Sequence, residues 1–117
     1  MSKNTLSCNG VLERGDYLIS NNGNFKAIFQ EDGNFVVYGW KPIWATNTGG
    51  LAGDRVIMQS DCNLVMYDGA SVSPNSLWAS ATSYRSGPPH LRAHARIEND
   101  GTLVVRDSDE VLWKSTQ

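Results

Sequence analysis

Hydrophobic and polar residues alternate along three stretches of the chain, and a short polar turn interrupts each stretch. In the first, alternation over residues 25–30 and 34–38 flanks an Asp32-Gly33 turn. An Asp-Gly pair between two alternating runs is a strong hairpin signal. The same criteria predict further hairpins and strands over residues 56–67, 95–106, 5–8 and 16–20. Since no window has a convincing helical period, the chain is predicted to be all-β.

Alternate positions on the second strand of each hairpin separate a hydrophobic face from a polar one. The hydrophobic face is predicted to form the core with the tryptophan that follows each hairpin, giving Phe35, Val37, Leu64, Met66, Leu103, Val105, Trp44, Trp78 and Trp113. The opposite face is predicted to be exposed and carries Asn34, Val36, Tyr38, Asn63, Val65 and Tyr67.

The three hairpins are copies of one repeat. Residues 30–38 and 59–67 share Gln, Asp, Asn, Val and Tyr at alternate positions, whereas residues 98–106 keep only Asp and Val. The second copy starts 29 residues after the first, and the third starts 39 residues after the second. The additional length falls in residues 83–93, a Ser-, Gly- and Pro-rich stretch that predicts an inserted loop. We therefore expect one domain over residues 1–117, built from three repeats.

Charge and hydropathy exclude several classes of partner. Ten Lys and Arg residues stand against 12 Asp and Glu, so the net charge is −2 and nucleic acid is not an expected partner. No segment approaches the ~20 apolar residues of a membrane span, so membrane insertion is not expected. The first residues also lack the apolar core of a secretory signal.

No metal, cofactor or catalytic centre is expected. The first two motifs begin like calcium-binding loops, but Val36 and Val65 stand where a ligand or glycine is needed, and the closing glutamate is missing. His90 and His94 are four residues apart and lack an evident third ligand. No spacing typical of a catalytic triad or of paired catalytic carboxylates is present, so the chain is not expected to be an enzyme.

The repeated polar face offers the chemistry of a sugar site. Gln and Asn donate and accept hydrogen bonds, Asp accepts them, Tyr adds a hydroxyl, and Val adds an apolar contact. Sugar hydroxyls both donate and accept, so they match such a set. The candidate residues are Gln30, Asp32, Asn34, Val36 and Tyr38 in the first site and Gln59, Asp61, Asn63, Val65 and Tyr67 in the second.

The pattern Gln-x-Asp-x-Asn-x-Val-x-Tyr, complete twice here, resembles the signature of the monocot mannose-binding lectins of the snowdrop or bulb type. Residues 41–50 also resemble this family, and the similarity covers residues 4–114. Similar domains occur in fish skin mucus lectins. The resemblance implies a type II β-prism, in which three four-stranded antiparallel sheets surround a pseudo-threefold axis with one potential site per sheet.

The resemblance also implies a role for each motif residue. The glutamine would bind the 3-hydroxyl of mannose, Asp and Asn together the axial 2-hydroxyl, Tyr the 4-hydroxyl, and Val the ring carbons. Mannose and mannose-containing glycans are therefore the expected ligands, bound without calcium. Because Asn34 and Asn63 are expected to point outward, replacing either by Ala should remove one site and leave the fold unchanged.

The third copy is expected to be inactive. Glu98, Thr102 and Arg106 replace Gln, Asn and Tyr, while Asp100 and Val104 remain. Glu98 lacks an amide donor, Thr102 is too short, and Arg106 could pair with Glu98 and fill the pocket. Restoring Gln, Asn and Tyr at these three positions is expected to restore the site.

Several features leave alternatives open. Trp40 could stack on an extended glycan or cover its own sheet. Cys8 and Cys62 are interpreted as free thiols, with a bridge between them as the alternative. The disulfide of many plant members is absent, because the corresponding positions are Gly33 and Asp54.

Assembly, location and function have alternatives as well. Relatives dimerise by exchanging C-terminal strands, which implies a homodimer formed through residues 111–117. The resemblance favours an extracellular or mucus location, and the cytoplasm is the alternative because no secretory signal is evident. The alternative function is a β-prism protein-interaction module, similar to the inhibitor-like and taste-modifying relatives.

Overall fold

The computed structural model describes residues 3–70, 72–83 and 87–116, and every regular element in these ranges is a β-strand. The strands form three antiparallel sheets of four, as predicted. They are β1 Thr5–Leu6, β2 Val11–Glu13, β3 Tyr17–Ile19, β4 Lys26–Phe29, β5 Phe35–Tyr38, β6 Pro42–Ala45, β7 Gly53–Met58, β8 Leu64–Asp68, β9 Ser76–Ala79, β10 Ala93–Ile97, β11 Leu103–Asp107 and β12 Glu110–Lys114. Across the described ranges, no helix is long and apolar enough to cross a membrane.

Each predicted hairpin lies at the centre of its own sheet. The first hairpin, β4–β5, lies in the sheet β3-β4-β5-β6; the second, β7–β8, in β2-β7-β8-β9; and the third, β10–β11, in β1-β10-β11-β12. One outer strand of each sheet comes from the N-terminal segment and the other carries a tryptophan. The sequence analysis did not assign β2 or the tryptophan strands.

The three hairpin turns share one backbone conformation. The N–H of Gly33 donates to Gln30 at 3.0 Å, and corresponding bonds of 3.1 Å are formed by Cys62 and Gly101. These residues have φ values of 88°, 75° and 89° respectively. Glycine adopts this left-handed region without steric cost, whereas a cysteine does so only with strain. The second turn is therefore the exception.

A β-bulge recurs beside the last motif position of each hairpin. The pairing register shifts between Val37 and Tyr38 in the first sheet and between Met66 and Tyr67 in the second. In the third sheet it shifts next to Arg106. Bulges redirect side chains, so this one sets the direction of the residue at the edge of the polar face.

The core is the predicted one. Phe35, Val37, Leu64, Met66, Leu103 and Val105 are at most 1% exposed. Trp44, Trp78 and Trp113 pack against this cluster, with ring centroids 5.4–5.6 Å apart in edge-to-face contacts. Each sheet thus contributes one indole to a central triangle. The motif faces of the three sheets lie on the other side of the same strands.

Candidate functional site

The glutamine and tyrosine of each complete motif are joined by a side-chain hydrogen bond. Nε2 of Gln30 donates to the hydroxyl of Tyr38, and Nε2 of Gln59 donates to the hydroxyl of Tyr67 at 2.6 Å. All four residues are partly exposed. The glutamine carbonyl and the tyrosine O–H proton are not used in this bond, so both can contact a ligand.

The aspartate of each motif holds the hairpin turn through one carboxylate oxygen. Oδ1 of Asp32 accepts the backbone N–H of Asn34 at 2.9 Å, and Oδ1 of Asp61 accepts that of Asn63 at 3.0 Å. Both aspartates are exposed. Their second oxygen, Oδ2, takes no part in this turn bond and can accept a hydrogen bond from a ligand.

The asparagine oxygens are engaged within the protein. Oδ1 of Asn34 accepts the hydroxyl of Thr46 and the backbone N–H of Thr48, both at 3.2 Å. In the second hairpin, Oδ1 of Asn63 accepts from Ser80 and Thr82, again at 3.2 Å. The amide nitrogen Nδ2 makes none of these bonds and is the atom that can donate to a ligand.

The hydroxyl residues that fix these asparagines were not identified from the sequence. They lie two and four positions after the tryptophans, at Thr46 and Thr48 and at Ser80 and Thr82. Their hydroxyls are 2.7 Å apart within each pair. The repeated spacing after each tryptophan was the available signal.

The predicted exposure of the motif valines is wrong. Val36 is 3% exposed and Val65 is 2% exposed. Val36 is paired in register with Ile28 on one side and Ala45 on the other. In the second sheet, the corresponding neighbours of Val65 are Ile57 and Ala79. The valines therefore lie at the base of an apolar strip that crosses three strands.

The third hairpin carries two additional charges that the sequence analysis missed. Val104 is flanked by Arg96 and Lys114, where the other copies have isoleucine and alanine. Arg96 donates to Glu98 at 3.0 and 3.1 Å. The predicted contact between Glu98 and Arg106 is present at 3.7 Å. Two guanidinium groups thus surround the glutamate in this polar face.

The aspartate retained in the third copy is also engaged. Oδ1 of Asp100 accepts the backbone N–H of Thr102 at 3.0 Å. This bond and the Thr102 hydroxyl lower the pKa of Asp100 below its ordinary value, and Lys114 adds a smaller electrostatic contribution. Thr102 offers no amide donor at the position of Asn34 and Asn63.

Trp40 projects into solvent beside the first motif. It is 105% exposed, so the interpretation that it covers its own sheet is wrong. A surface depression of about 400 Å³ is bordered by Phe25, Gln30 and Tyr38, and Trp40 lines a second depression that shares Phe25 and Gly39 with the first. The corresponding loop of the second sheet carries Val72, which is 82% exposed.

Cys8 is partly buried and Cys62 is buried, and no disulfide joins them, as the sequence analysis had favoured. Nδ1 of His94 is 2.9 Å from the carbonyl of Arg92. His90 lies instead beside Cys62 and Asp107.

Comparison with known proteins identifies the family. Over 112 residues, the chain is 46% identical to the B-type lectin plumieribetin of Scorpaena plumieri, an alignment that covers 96% of this chain and 94% of the relative. The chain belongs to the bulb-type mannose-binding lectin family. No family profile matches it. Because its relatives are lectins, the prediction that this family member is a binding protein and not an enzyme is confirmed.

Solved structures of bulb-type lectins share the fold. The snowdrop (Galanthus nivalis) mannose-specific agglutinin, complexed with methyl-α-D-mannoside, is 38% identical with a TM-score of 0.76 and 92% coverage of both chains. A monomeric monocot mannose-binding lectin from Gastrodia elata is 29% identical with a TM-score of 0.82 and 98% coverage of both chains. The predicted β-prism is thereby confirmed.

Proposed function

We propose that this lectin binds mannose and mannose-rich glycans through two sites per chain, at residues 30–38 and 59–67, by direct hydrogen bonds without calcium. The observation that carries the proposal is the repetition of one contact set in two sheets. In each, the glutamine bonds the tyrosine, the aspartate holds the turn, and the asparagine oxygen accepts two bonds. The motif side chains are thus oriented before a ligand arrives, which reduces the entropy cost of binding.

The atoms left over by these internal bonds suit a sugar. Asp Oδ2 accepts and Asn Nδ2 donates from adjacent positions, so one hydroxyl placed between them satisfies both of its hydrogen-bonding roles. By the family resemblance this hydroxyl is the axial 2-hydroxyl of mannose, which in glucose is equatorial and would point in a different direction. The glutamine carbonyl and tyrosine hydroxyl serve the 3- and 4-hydroxyls. The apolar strip around Val36 and Val65 faces the C–H side of the ring.

The third hairpin is not included in the proposal. Its face contains Arg96, Glu98 and Arg106 in mutual contact, and Lys114 beside Val104. A neutral sugar would have to displace charged groups that already hydrogen-bond one another. Two sites per chain are therefore expected.

Assembly extends the proposal to a homodimer that exchanges β12. This strand is an outer strand, pairs with β11 of its own chain, and exposes Val111 to 42%. Exchange of identical strands between two copies would preserve its bonds. Because a shallow monosaccharide site is weak, with a Kd on the order of millimolar, four linked sites would give useful avidity.

The two-site proposal is tested with the double variant Asn34→Asp, Asn63→Asp. Aspartate keeps the oxygen that Thr48 and Thr82 need but removes the Nδ2 donor. We expect calorimetric titration with methyl-α-mannoside to give two sites for the wild type and no detectable binding for the variant. The matched control, Asn9→Asp with Asn21→Asp, adds the same charge at exposed positions outside the motifs and should bind as the wild type does.

Two outcomes would overturn the proposal. Wild-type sugar binding by the motif double variant would place the sugar elsewhere. No retention of the wild type on mannan, in a folded protein, would favour the protein-interaction module instead.

Titration in the calcium chelator EGTA should leave the affinity for the sugar unchanged, and a loss of binding restored by calcium would reject the direct-contact mechanism.

A further inference from the structure

A cysteine, a histidine and an aspartate from three segments meet where the second hairpin turn contacts the third sheet. Cys62 is in the turn between β7 and β8, His90 precedes β10, and Asp107 ends β11. One ligand atom from each side chain lies within 4.8 Å of the other two. Nδ1 of His90 is 3.1 Å from Oδ2 of Asp107. The backbone N–H of His90 also donates to Ser60 at 2.8 Å, which fixes the histidine beside the turn.

The cluster is largely withdrawn from solvent. Cys62 is 0% exposed, and the side chains of His90 and Asp107 are 21% and 14% exposed. Nε2 of His90 is buried and has no hydrogen-bond partner within the described ranges. By contrast, Nδ1 lies 3.1 Å from Oδ2 of Asp107, so it is the nitrogen in position to bind an ion together with that carboxylate.

Two departures from the threefold repeat coincide at this cluster. Cys62 has a φ of 75° at the position that Gly33 and Gly101 occupy in the other turns. A glycine would form this turn with less strain, so the thiol is retained at a cost. His90 lies in the segment that makes the connection to the third copy longer than the first connection. The unusual turn residue and the additional segment thus supply two neighbouring ligand groups.

Cysteine, histidine and aspartate can also form a nucleophilic triad, but burial argues against that role. The thiolate of a nucleophilic cysteine must reach a substrate atom. Cys62 is completely buried. A small ion that enters past the partly exposed His90 and Asp107 meets no such obstacle.

We propose that Cys62, His90 and Asp107 form a binding site for a thiolate-preferring divalent ion of the zinc class. Zn²⁺ takes one sulfur, one nitrogen and one oxygen ligand at about 2.0–2.3 Å, with water completing a tetrahedron. Ligands at that radius are about 3.3–3.7 Å apart, so the 3.1 Å separation of His90 and Asp107 needs little change. Cys62 binds as the thiolate and releases its proton to solvent.

The position of the site gives the ion a structural role. The first hairpin turn is tied to the second sheet by Arg14, which donates to Glu31 at 2.6 Å and to Gly53 at 2.7 Å. The third turn is tied to the first sheet by two 3.0 Å bonds between Asn22 and Asn99. The ion joins the second turn to the third sheet, so each turn is fastened to the next sheet around the axis.

The site is tested on the untagged, reduced, metal-free chain by titration with Zn²⁺ and Co²⁺. We expect one ion per chain, a thiolate-to-cobalt charge-transfer absorption, and a Tm that rises with Zn²⁺ concentration. Cys62→Gly restores the residue type of the other two turns and His90→Gln keeps a polar side chain of similar length. Each variant should weaken metal binding by at least about tenfold, and Cys62→Gly should abolish the absorption.

Matched controls use the other thiol and the other histidine. Cys8→Ser and His94→Gln should bind metal as the wild type does. Absence of stoichiometric binding by the wild type, or undiminished binding by folded Cys62→Gly and His90→Gln, would overturn the proposal. The metal proposal is tested independently of the sugar proposal. His90→Gln is expected to keep two sites for methyl-α-mannoside while it loses affinity for the metal.

Discussion

Asn34 accepts the backbone N–H of Thr48 through its side-chain oxygen at 3.2 Å, and so joins a ligand-facing residue to the segment that follows Trp44. The same oxygen accepts the hydroxyl of Thr46. Asn34 therefore has a structural role in addition to the proposed contact with sugar. In Asn34→Ala these two donors would lose their acceptor, so we expect a cost in stability in addition to the loss of one site.

We predict that Asn34→Ala lowers the free energy of unfolding by about 1 kcal/mol, whereas Asn34→Asp retains the acceptor and loses much less. Chemical denaturation of the two variants measures the difference, with Asn21→Ala as the exposed control. Equal stability of the Ala and Asp variants would show that the hydrogen bonds to Thr46 and Thr48 contribute nothing measurable.

The third hairpin should need five changes, not three, to bind sugar. Glu98→Gln, Thr102→Asn and Arg106→Tyr restore the motif but leave Arg96 and Lys114 on either side of Val104. Arg96 would then lack its partner Glu98, and both charges would remain beside Val104, at the positions of the apolar strip.

We predict that the three-change variant keeps two sites per chain, and that adding Arg96→Ile and Lys114→Ala raises the count toward three. Calorimetric stoichiometry with methyl-α-mannoside distinguishes the two variants. Three sites in the three-change variant would mean that the flanking charges do not obstruct binding. Two sites in a folded five-change variant would place the obstruction outside this face.

Trp40 should extend the first site toward larger glycans. Trp40 is fully exposed and lines a depression that shares Phe25 and Gly39 with the one bordered by Gln30 and Tyr38. We predict that Trp40→Ala leaves methyl-α-mannoside affinity unchanged but weakens a mannotrioside roughly fivefold, equivalent to about 1 kcal/mol of ring contact. The control Val72→Ala alters the corresponding loop of the second sheet. Equal losses for the monosaccharide and the trisaccharide would assign Trp40 to the primary site.

Asp68 makes part of the stability dependent on pH. Its carboxylate accepts the backbone N–H groups of Ala70 and Asn75 and the Asn75 side chain, each at 3.1 Å, and these bonds lower its pKa. A lowered carboxyl pKa stabilises the fold above the ordinary value, and this contribution is lost as pH falls through the folded-state pKa.

We therefore predict that Asp68→Asn lowers the Tm at pH 7 and that its difference from the wild type shrinks below about pH 4. Thermal melts across this range provide the measurement. Asp109→Asn, at an exposed turn position, serves as the control and should show no such trend. If the Tm difference between the wild type and Asp68→Asn were the same at all pH values, the carboxylate charge could not be its cause.

The proposed strand exchange predicts a dimer in solution. Sedimentation equilibrium of the wild type should give twice the chain mass of 12.9 kDa. Deletion of residues 110–117 would remove β12 from the monomer as well as from the strand-exchanged dimer, so it cannot distinguish them. A better probe is Val111→Asp, which alters an exposed position on that strand. We expect this variant to shift toward monomer while keeping sugar binding per chain. A strictly monomeric wild type would contradict the exchange.

Burial that depends on a residue's own strand was predicted from the sequence, whereas burial that depends on the neighbouring strands was missed. Alternation identified Phe35 and Val37 as core residues because each strand's own pleat decides which face they occupy. The burial of Val36 depends on Ile28 and Ala45, which pair with it only in the assembled sheet. No pattern along a single strand contains that information.

Contacts between distant segments were missed for the same reason. The sequence analysis compared His90 only with His94, which lies on β10, whereas in the structure His90 lies beside Cys62, 28 positions earlier. Arg96 was visible as a charge but not as the residue opposite Val104. Register between strands is fixed by turns and bulges, and small shifts in them decide which side chains meet.

The tryptophan triangle makes the three repeats interdependent in folding while their outer faces remain free to differ. Each indole packs against the indoles of the other two sheets, so a single repeat could not complete this packing alone. The third repeat keeps Trp113 and a fully buried core face although its ligand motif has changed. Substitutions on an outer face therefore do not disturb the packing of the three indoles around the shared axis. A chain of this kind can acquire, lose or replace one binding specificity at a time without endangering the other two.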